Sequence, residues 1–365
     1  MLGARRAVVE VIGRWAPAPF AFAVGVATAA YSLSVHALPD FFVFWTAARH
    51  AADPLLYDSA HITALQAWMP WPDPRPFIYP PTFLLLAAPF GALPALPAYL
   101  LWAGLSCAAL TLAARQIVQP GWATLLLPLT LPVLMALGYG QSTPFACAAL
   151  IAGAAQQSRR PQLAGALIAV AACIKPQLMI LSPLLLIGDW RALRAAFITG
   201  CAIVVASLAF GPSHWLAWVE ALPRFQVMVR QMPLKFINPL DPRLGLAAKA
   251  AVIGSGVGFA LWCARRSPAE RVVGVVCGSL CCTLYAVRPD LVALAPSALA
   301  WTFGGRTAAD WVRRLGGLAL LAGLIAAPAG VVALMASTVA AGVLRPAAKP
   351  LPGPLAEAEG AAANG

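Results

Sequence analysis

The chain has 365 residues, of which 61% are apolar and only 10% are charged. An ordinary soluble domain carries about 25% charged residues, so the composition excludes a soluble globular fold. The charges lie in short intervals between long neutral runs, among them 78–114, 117–158 and 315–344. These runs are continuously apolar and do not alternate with a period of two, as barrel strands do. Because a membrane helix needs about 20 apolar residues, the sequence predicts an all-α membrane protein with about nine to twelve spans, some short or broken.

The net charge of +12 would suggest nucleic-acid binding in a soluble protein. Here the arginines come in pairs at the ends of apolar runs, without aromatic residues placed to stack on bases. The pairs are Arg5/Arg6, Arg159/Arg160, Arg191/Arg194, Arg265/Arg266 and Arg313/Arg314. Such pairs are typical of the cytoplasmic ends of membrane helices, so we expect no nucleic-acid partner.

The eight cysteines all lie within apolar segments, where cysteine behaves as a small hydrophobic residue. Cys277 and Cys281 stand one helical turn apart, but no histidine lies near them in the sequence. The spacing gives neither a disulfide framework nor a metal-binding pattern. We therefore expect no metal and no cofactor.

Residues 1–344 are predicted to form a single polytopic membrane domain, followed by a disordered tail, 345–365. Two longer polar intervals interrupt this domain. The first loop, 39–80, has four acidic residues and only two basic ones, which favours an extracytoplasmic position. Within it, residues 41–52 are predicted to form an amphipathic helix that lies on the membrane surface. The second loop, 211–243, is predicted to be a surface helix followed by an irregular segment.

Prolines and glycines divide the long apolar runs into shorter helices. Three prolines between residues 89 and 97 are expected to separate a short helix from a longer one. Two polar islands, 138–142 and 174–177, interrupt later runs. Arginine pairs on both sides of the second island return the chain to the same face. Two short helices meeting at Lys175-Pro176 fit this pattern better than one span.

Asp40 is the most informative polar residue, because it follows the first apolar run directly and precedes an aromatic segment. Partial desolvation at that depth would make its carboxylate a stronger base. The competing interpretation is structural, because aspartate is a favoured N-cap for the helix that follows.

Three more polar residues interrupt apolar runs. Lys175 is the only lysine inside such a run, and intramembrane charges are functional candidates by default. A fixed cation there could hold a phosphate, although the side chain could also extend to the interface. Asp290 follows Arg288 and could form a simple ion pair at a helix end, and Gln141 could belong to a turn between helices.

The order of these residues along the chain resembles that of glycosyltransferase family 87, in the GT-C superfamily. Four segments between about residues 20 and 200 carry the resemblance. They are Asp40-Phe41-x-x-Phe44-Trp45-x-Ala47-Ala48 continuing to Asp53-Pro54-Leu55-Leu56-Tyr57-Asp58; Tyr79-Pro80-Pro81-Thr82-Phe83; Gly140-Gln141-Ser142-Thr143; and Ala164-Gly165-Ala166 leading to Ile174-Lys175-Pro176.

The resemblance implies a GT-C-like helical bundle in the plasma (inner) membrane, with an active site facing outside the cytoplasm. It implies transfer of a sugar, such as the hexose mannose, from a polyprenyl-phosphate donor to a lipid or glycan acceptor, with inversion. The membrane lipids, the donor and the acceptor are the expected partners. In this scheme Asp40 is the general base, and Lys175 and Arg288 bind the donor phosphate. The remaining positions are substrate contacts: Tyr57, Tyr79, Gln141 and Asp290.

Two other functions remain open from the residues themselves, namely a multi-span transporter and a membrane assembly component without catalysis. A transporter should keep its ionisable residues near the bilayer midplane. A transferase should gather Asp40, Gln141 and Lys175 around one site. A joint role requires Asp40 and Lys175 to lie within about 15 Å, because both must contact one sugar phosphate.

Overall fold

The computed structural model describes residues 17–35, 40–68, 75–231, 236–237, 245–283 and 286–304, with isolated positions between 311 and 339. The predicted tail, 345–365, and most of the last apolar run lie outside the described residues. Within the described ranges the chain is almost entirely helical, as the composition predicts.

The α-helices are α1 (Pro17–Ser34), α2 (Phe41–Arg49), α3 (Ser59–Leu65), α4 (Phe83–Gly91), α5 (Ala95–Ala114), α6 (Leu131–Gly138), α7 (Thr143–Gln156), α8 (Pro161–Ile174), α9 (Pro176–Met179), α10 (Trp190–Ser207), α11 (Ser213–Gln231), α12 (Leu246–Ala264), α13 (Pro268–Cys282) and α14 (Ala295–Phe303). Four 3-10 helices join them: Gly121–Leu129, Ser182–Leu186, Leu208–Phe210 and Arg288–Leu294. Two short strands, β1 (Phe236–Ile237) and β2 (Ala286–Val287), pair antiparallel. This pairing ties the second loop to the segment that precedes Asp290.

The helix boundaries follow the prolines, glycines and polar islands of the sequence. The predicted break between residues 89 and 97 is confirmed, because α4 ends at Gly91 and α5 begins at Ala95. Both islands also separate helices. The chain leaves α8 at Lys175 and re-enters a helix at Pro176, a residue that fits the first turn because it has no N–H to satisfy.

Three helical stretches among the described residues are long and apolar enough to cross a membrane: Ala95–Ala114, Trp190–Phe210 and Leu246–Ala264. A fourth span is counted if the bent pair Gly121–Leu129 and Leu131–Gly138, which meet at 51°, is one broken helix. Helices α7 and α8 are apolar but have only 14 residues each. The total of nine to twelve spans stays a prediction, because apolar residues after 315 lie mostly outside the described ranges.

Several helix pairs pack closely, with glycines at their crossings. Helix α1 packs on α5, α7 on α8, α8 on α10, and α12 on α13. At the first crossing, a Cβ on Gly25 would lie 2.5 Å from the Ala103 carbonyl oxygen. Only a glycine permits that approach, and small residues at crossings are typical of membrane helix packing. Helix α10 presents most of its apolar residues outward, as a lipid-facing helix does.

The first loop folds into the helical body. Seven of the nine residues of α2 are buried, including Phe41 and Phe44, and the helix packs on α4 and α5. Phe41 stacks on Tyr99 of α5 with ring centroids 5.4 Å apart. The prediction that this helix lies on the membrane surface was wrong. The spacing of apolar residues indicates which positions of α2 avoid water, but it does not indicate whether lipid or other helices cover them.

Candidate active site

Asp40 stands at the N-terminus of α2 but does not cap it. Its backbone is helical (φ −59°, ψ −20°), and its side chain makes no capping hydrogen bond. Instead one carboxylate oxygen accepts from Arg75 Nη1 and the other from Gln141 Nε2. The capping interpretation of Asp40 was therefore wrong. The Asp40 side chain is 22% exposed, so it is held by two donors while remaining accessible.

Arg75 approaches Asp40 from the end of the first loop. Its backbone is fixed by the buried side chain of Gln66, which donates to the Arg75 carbonyl (2.8 Å) and accepts from the Arg75 N–H (3.3 Å). Partial burial lowers the pKa of the Arg75 guanidinium, which nevertheless stays charged because that pKa starts so high. No role is assigned to Arg75 from the sequence. The only signal was its position as one of two basic residues in an acidic loop.

Gln141 reaches Asp40 from the turn between α6 and α7. The turn depends on Gly140, whose φ of +63° is left-handed and whose absent side chain leaves room for Phe41. The backbone N–H of Gln141 donates to the Ala136 carbonyl (2.8 Å), which anchors the turn to the end of α6. The polar island of the sequence is thus a rigid turn that also points a side chain into the site.

Lys175 lies behind Gln141 in the break between α8 and α9, and only 2% of its side chain is exposed. Its ammonium donates to Gln141 Oε1 (3.1 Å), Thr143 Oγ1 (2.8 Å) and Asp290 Oδ1. Asp290 is equally buried, at 1% exposed. It also accepts from the Thr143 hydroxyl (2.7 Å) and the Val287 N–H (3.1 Å). Every described polar atom of this ion pair has a protein partner.

This geometry bears on the phosphate role predicted for Lys175. A lysine ammonium has three N–H donors, and all three are used by protein acceptors. Lys175 would have to give up one of these bonds to hold a phosphate. The side chain of Arg288, the other predicted phosphate ligand, lies outside the described side chains, although its backbone begins the 3-10 helix that carries Asp290.

The two predicted tyrosines lie on the wall of the site. The Tyr79 ring is 5.7 Å from Lys175 Nζ, and its hydroxyl accepts from Ser142 Oγ (3.2 Å). Tyr57 lies further back, with its hydroxyl donating to the Tyr79 carbonyl (2.8 Å). Burial raises the pKa of Tyr57, so the group stays a neutral phenol. Tyr57 therefore holds the backbone of Tyr79 in place through this hydrogen bond.

The structure brings most of the predicted residues into one polar line. The line runs from Arg75 and Asp40, which are partly accessible, through Gln141 to the buried Lys175 and Asp290. Asp40 and Lys175 are joined by two hydrogen bonds and the width of one amide, so they lie within about 9 Å. This is well inside the limit required for a joint role. At the accessible end, the Asp40 carboxylate can act as a base, and the neighbouring Arg75 guanidinium can bind an anion.

No group of three or more His, Cys, Asp or Glu residues that could hold a metal occurs among the described residues. The eight cysteines are all free thiols. A reaction without metal or cofactor stays a prediction from the sequence.

A family model described as glycosyltransferase family 87 matches residues 77–295 of the 365-residue chain. The match includes Tyr79, Gln141, Lys175 and Asp290, whereas Asp40 precedes it. Searches of curated proteins and of solved structures gave no match. Because the matched region is more than half of the chain, the protein belongs to glycosyltransferase family 87 and is a membrane glycosyltransferase.

Proposed function

We propose that the protein transfers a sugar, a hexose such as mannose, from a polyprenyl phosphate to a lipid or glycan acceptor on the extracytoplasmic side of the plasma membrane. The observation that carries this proposal is the side chain of Asp40, which leaves its helix uncapped and turns into a site bordered by Arg75 and Gln141. A carboxylate that only stabilised α2 would accept hydrogen bonds from the N–H groups of that helix.

The proposed chemistry is a single displacement with inversion. Asp40 accepts the proton of an acceptor hydroxyl while that oxygen forms a bond to the anomeric carbon of the sugar. The bond between the anomeric carbon and the phosphate oxygen breaks, and the lipid phosphate leaves with the electron pair. The acidic character of the first loop supports placing this step outside the cytoplasm.

We propose Arg75 as the cation that contacts the donor phosphate. It is 30% exposed and stands directly beside Asp40, whereas the donors of Lys175 are all taken. A guanidinium binds a phosphate through two parallel hydrogen bonds. When the phosphate takes over Arg75, the carboxylate oxygen that faced this arginine becomes free to accept a proton. Donor binding would thereby prepare the base.

The test is transfer by the reconstituted protein from radiolabelled polyprenyl-phosphate mannose to a total lipid extract. Asp40→Asn should lower kcat about 10²–10⁴-fold, the usual contribution of a general base, while donor binding persists. Asp58→Asn is the matched control, because it makes the same change in the same loop at a residue that caps α3 and that asparagine can replace. Undiminished transfer by Asp40→Asn would refute the role of Asp40.

The acceptor can be sought independently in cells. Total lipid extracts from a deletion strain and its parent should differ by one glycoconjugate, and reintroducing the wild-type gene, but not Asp40→Asn, should restore it. Restoration by Asp40→Asn would contradict the proposed mechanism.

A further inference from the structure

The amide of Gln141 has a fixed orientation, because Lys175 can only donate a hydrogen bond to it and the ionised Asp40 can only accept one from it. Lysine ammonium groups only donate hydrogen bonds, so the Gln141 atom that faces Lys175 must be the oxygen. The amide nitrogen then necessarily faces Asp40, and its N–H donates to the carboxylate. Without Lys175, Asp40 alone would orient the amide, which could then turn over and accept from the carboxyl once Asp40 is protonated.

The bond from Lys175 also polarises that amide. A cation on the carbonyl oxygen strengthens the N–H at the other end as a donor, because hydrogen bonds in series reinforce one another. A stronger donor favours the ionised form of the carboxylate that accepts from it. Asp290 and Thr143, in turn, hold the ammonium in place and balance its charge.

We infer that Lys175 and Asp290 are positioning residues, which act through Gln141 to orient Asp40 and keep it ionised without contacting the donor. This inference rests on the proposed function of Asp40 as the base. It replaces the phosphate-binding role predicted for Lys175, and it explains why a lysine inside an apolar run is fully paired with protein groups.

Other charges near Asp40 must be considered when its protonation is measured. Within the described residues, Arg75 contacts Asp40 directly, and Lys175, Asp290 and Tyr79 lie behind Gln141. Two more tyrosines belong to the surroundings: Tyr139, which interacts electrostatically with Arg75, and Tyr99 of α5, which donates to the Gly138 carbonyl. Gln141→Met leaves all of these groups in place.

Gln141→Met tests the donor to Asp40. It removes both hydrogen bonds of the amide at similar volume and adds no charge, whereas a glutamate at this position would itself repel the Asp40 carboxylate. Difference infrared spectroscopy, with Asp40→Asn as reference, measures the protonation midpoint of Asp40 without turnover. We expect Gln141→Met to raise that midpoint by about one pH unit or more, a tenfold gain in proton affinity. A midpoint within about 0.3 units of wild type would overturn the inference.

Kinetics then distinguish positioning from donor binding. The double variant Lys175→Met/Asp290→Asn removes both buried charges together. We expect its kcat to fall at least about tenfold while the donor KM stays within about twofold. A rise of about tenfold or more in the donor KM, with an unchanged Asp40 midpoint, would show that Lys175 contacts the donor and would overturn the inference.

Ser297→Ala is the control for both measurements. Its hydroxyl is fully buried and donates to the Ala269 carbonyl (3.0 Å), outside the polar line. It should change neither the midpoint nor kcat. Full transfer by Asp40→Asn would refute the proposed function, and the infrared result would still report on the positioning pair separately.

Discussion

Replacing Lys175 by methionine removes a buried ammonium and leaves the side-chain volume nearly unchanged, so no cavity is created. The carboxylate of Asp290, 1% exposed, then keeps only the Thr143 hydroxyl and the Val287 N–H as donors. Removing one partner of a buried ion pair costs about 3–5 kcal/mol, because the remaining charge is uncompensated. Against the usual stability of about 5–15 kcal/mol, Lys175→Met should lose about a fifth or more of the free energy of unfolding.

The double variant Lys175→Met/Asp290→Asn should be more stable than the single one. The asparagine oxygen can accept from the Val287 N–H in place of Oδ2, and its NH2 can donate to the Thr143 hydroxyl. The main remaining cost is therefore the unpaired Gln141 oxygen, about 1–3 kcal/mol. The second substitution is therefore expected to recover about 2 kcal/mol. Equilibrium unfolding in detergent micelles measures both changes. A loss below about 1 kcal/mol in Lys175→Met, or a double variant less stable than the single one, would refute this account.

Three further outcomes follow from single contacts. Gly140→Ala should cost about 2–4 kcal/mol of unfolding free energy, because its φ is +63° and its Cβ would lie 2.5 Å from the Phe41 Cβ; wild-type thermal stability would contradict this. Arg75→Gln should raise the donor KM at least about tenfold, and an unchanged KM would remove Arg75 from the phosphate site. The hydrogen bond with His61 (2.7 Å) lowers the pKa of Asp53 below its ordinary value of 3.8. This bond therefore stabilises the first loop above pH 3.8, and the stabilisation is lost as the pH falls through the lowered pKa. In His61→Ala, NMR titration should find the pKa of Asp53 raised toward 3.8, although the Leu55 N–H still lowers it; an unchanged pKa would exclude the His61 contact as a cause.

The helix boundaries could be predicted because their causes are local. Proline removes an N–H donor and glycine permits turns, so the breaks near Gly91, Gly140 and Lys175 can be identified from neighbouring residues alone. Asp40 and Lys175 were also identifiable, because a charge beside or inside an apolar run is costly and needs a reason.

The partners of these charges could not be predicted in the same way. Asp290 lies 115 residues after Lys175, and only the packing of the Arg288–Leu294 helix against α6 and α7 brings the two together. From the residues alone, Lys175 could equally be assigned to a phosphate. Arg75 was missed for the same reason, since a loop residue acquires its role only from the residue it meets.

The lengths of α7 and α8 have a consequence for the surrounding lipid. A helix of 14 residues is about 21 Å long, roughly two thirds of the thickness of a typical hydrocarbon layer of about 30 Å. Such a mismatch is met by local thinning of the bilayer or by drawing polar groups inward. Under the proposed function, bilayer thickness thus becomes a variable of the transfer reaction.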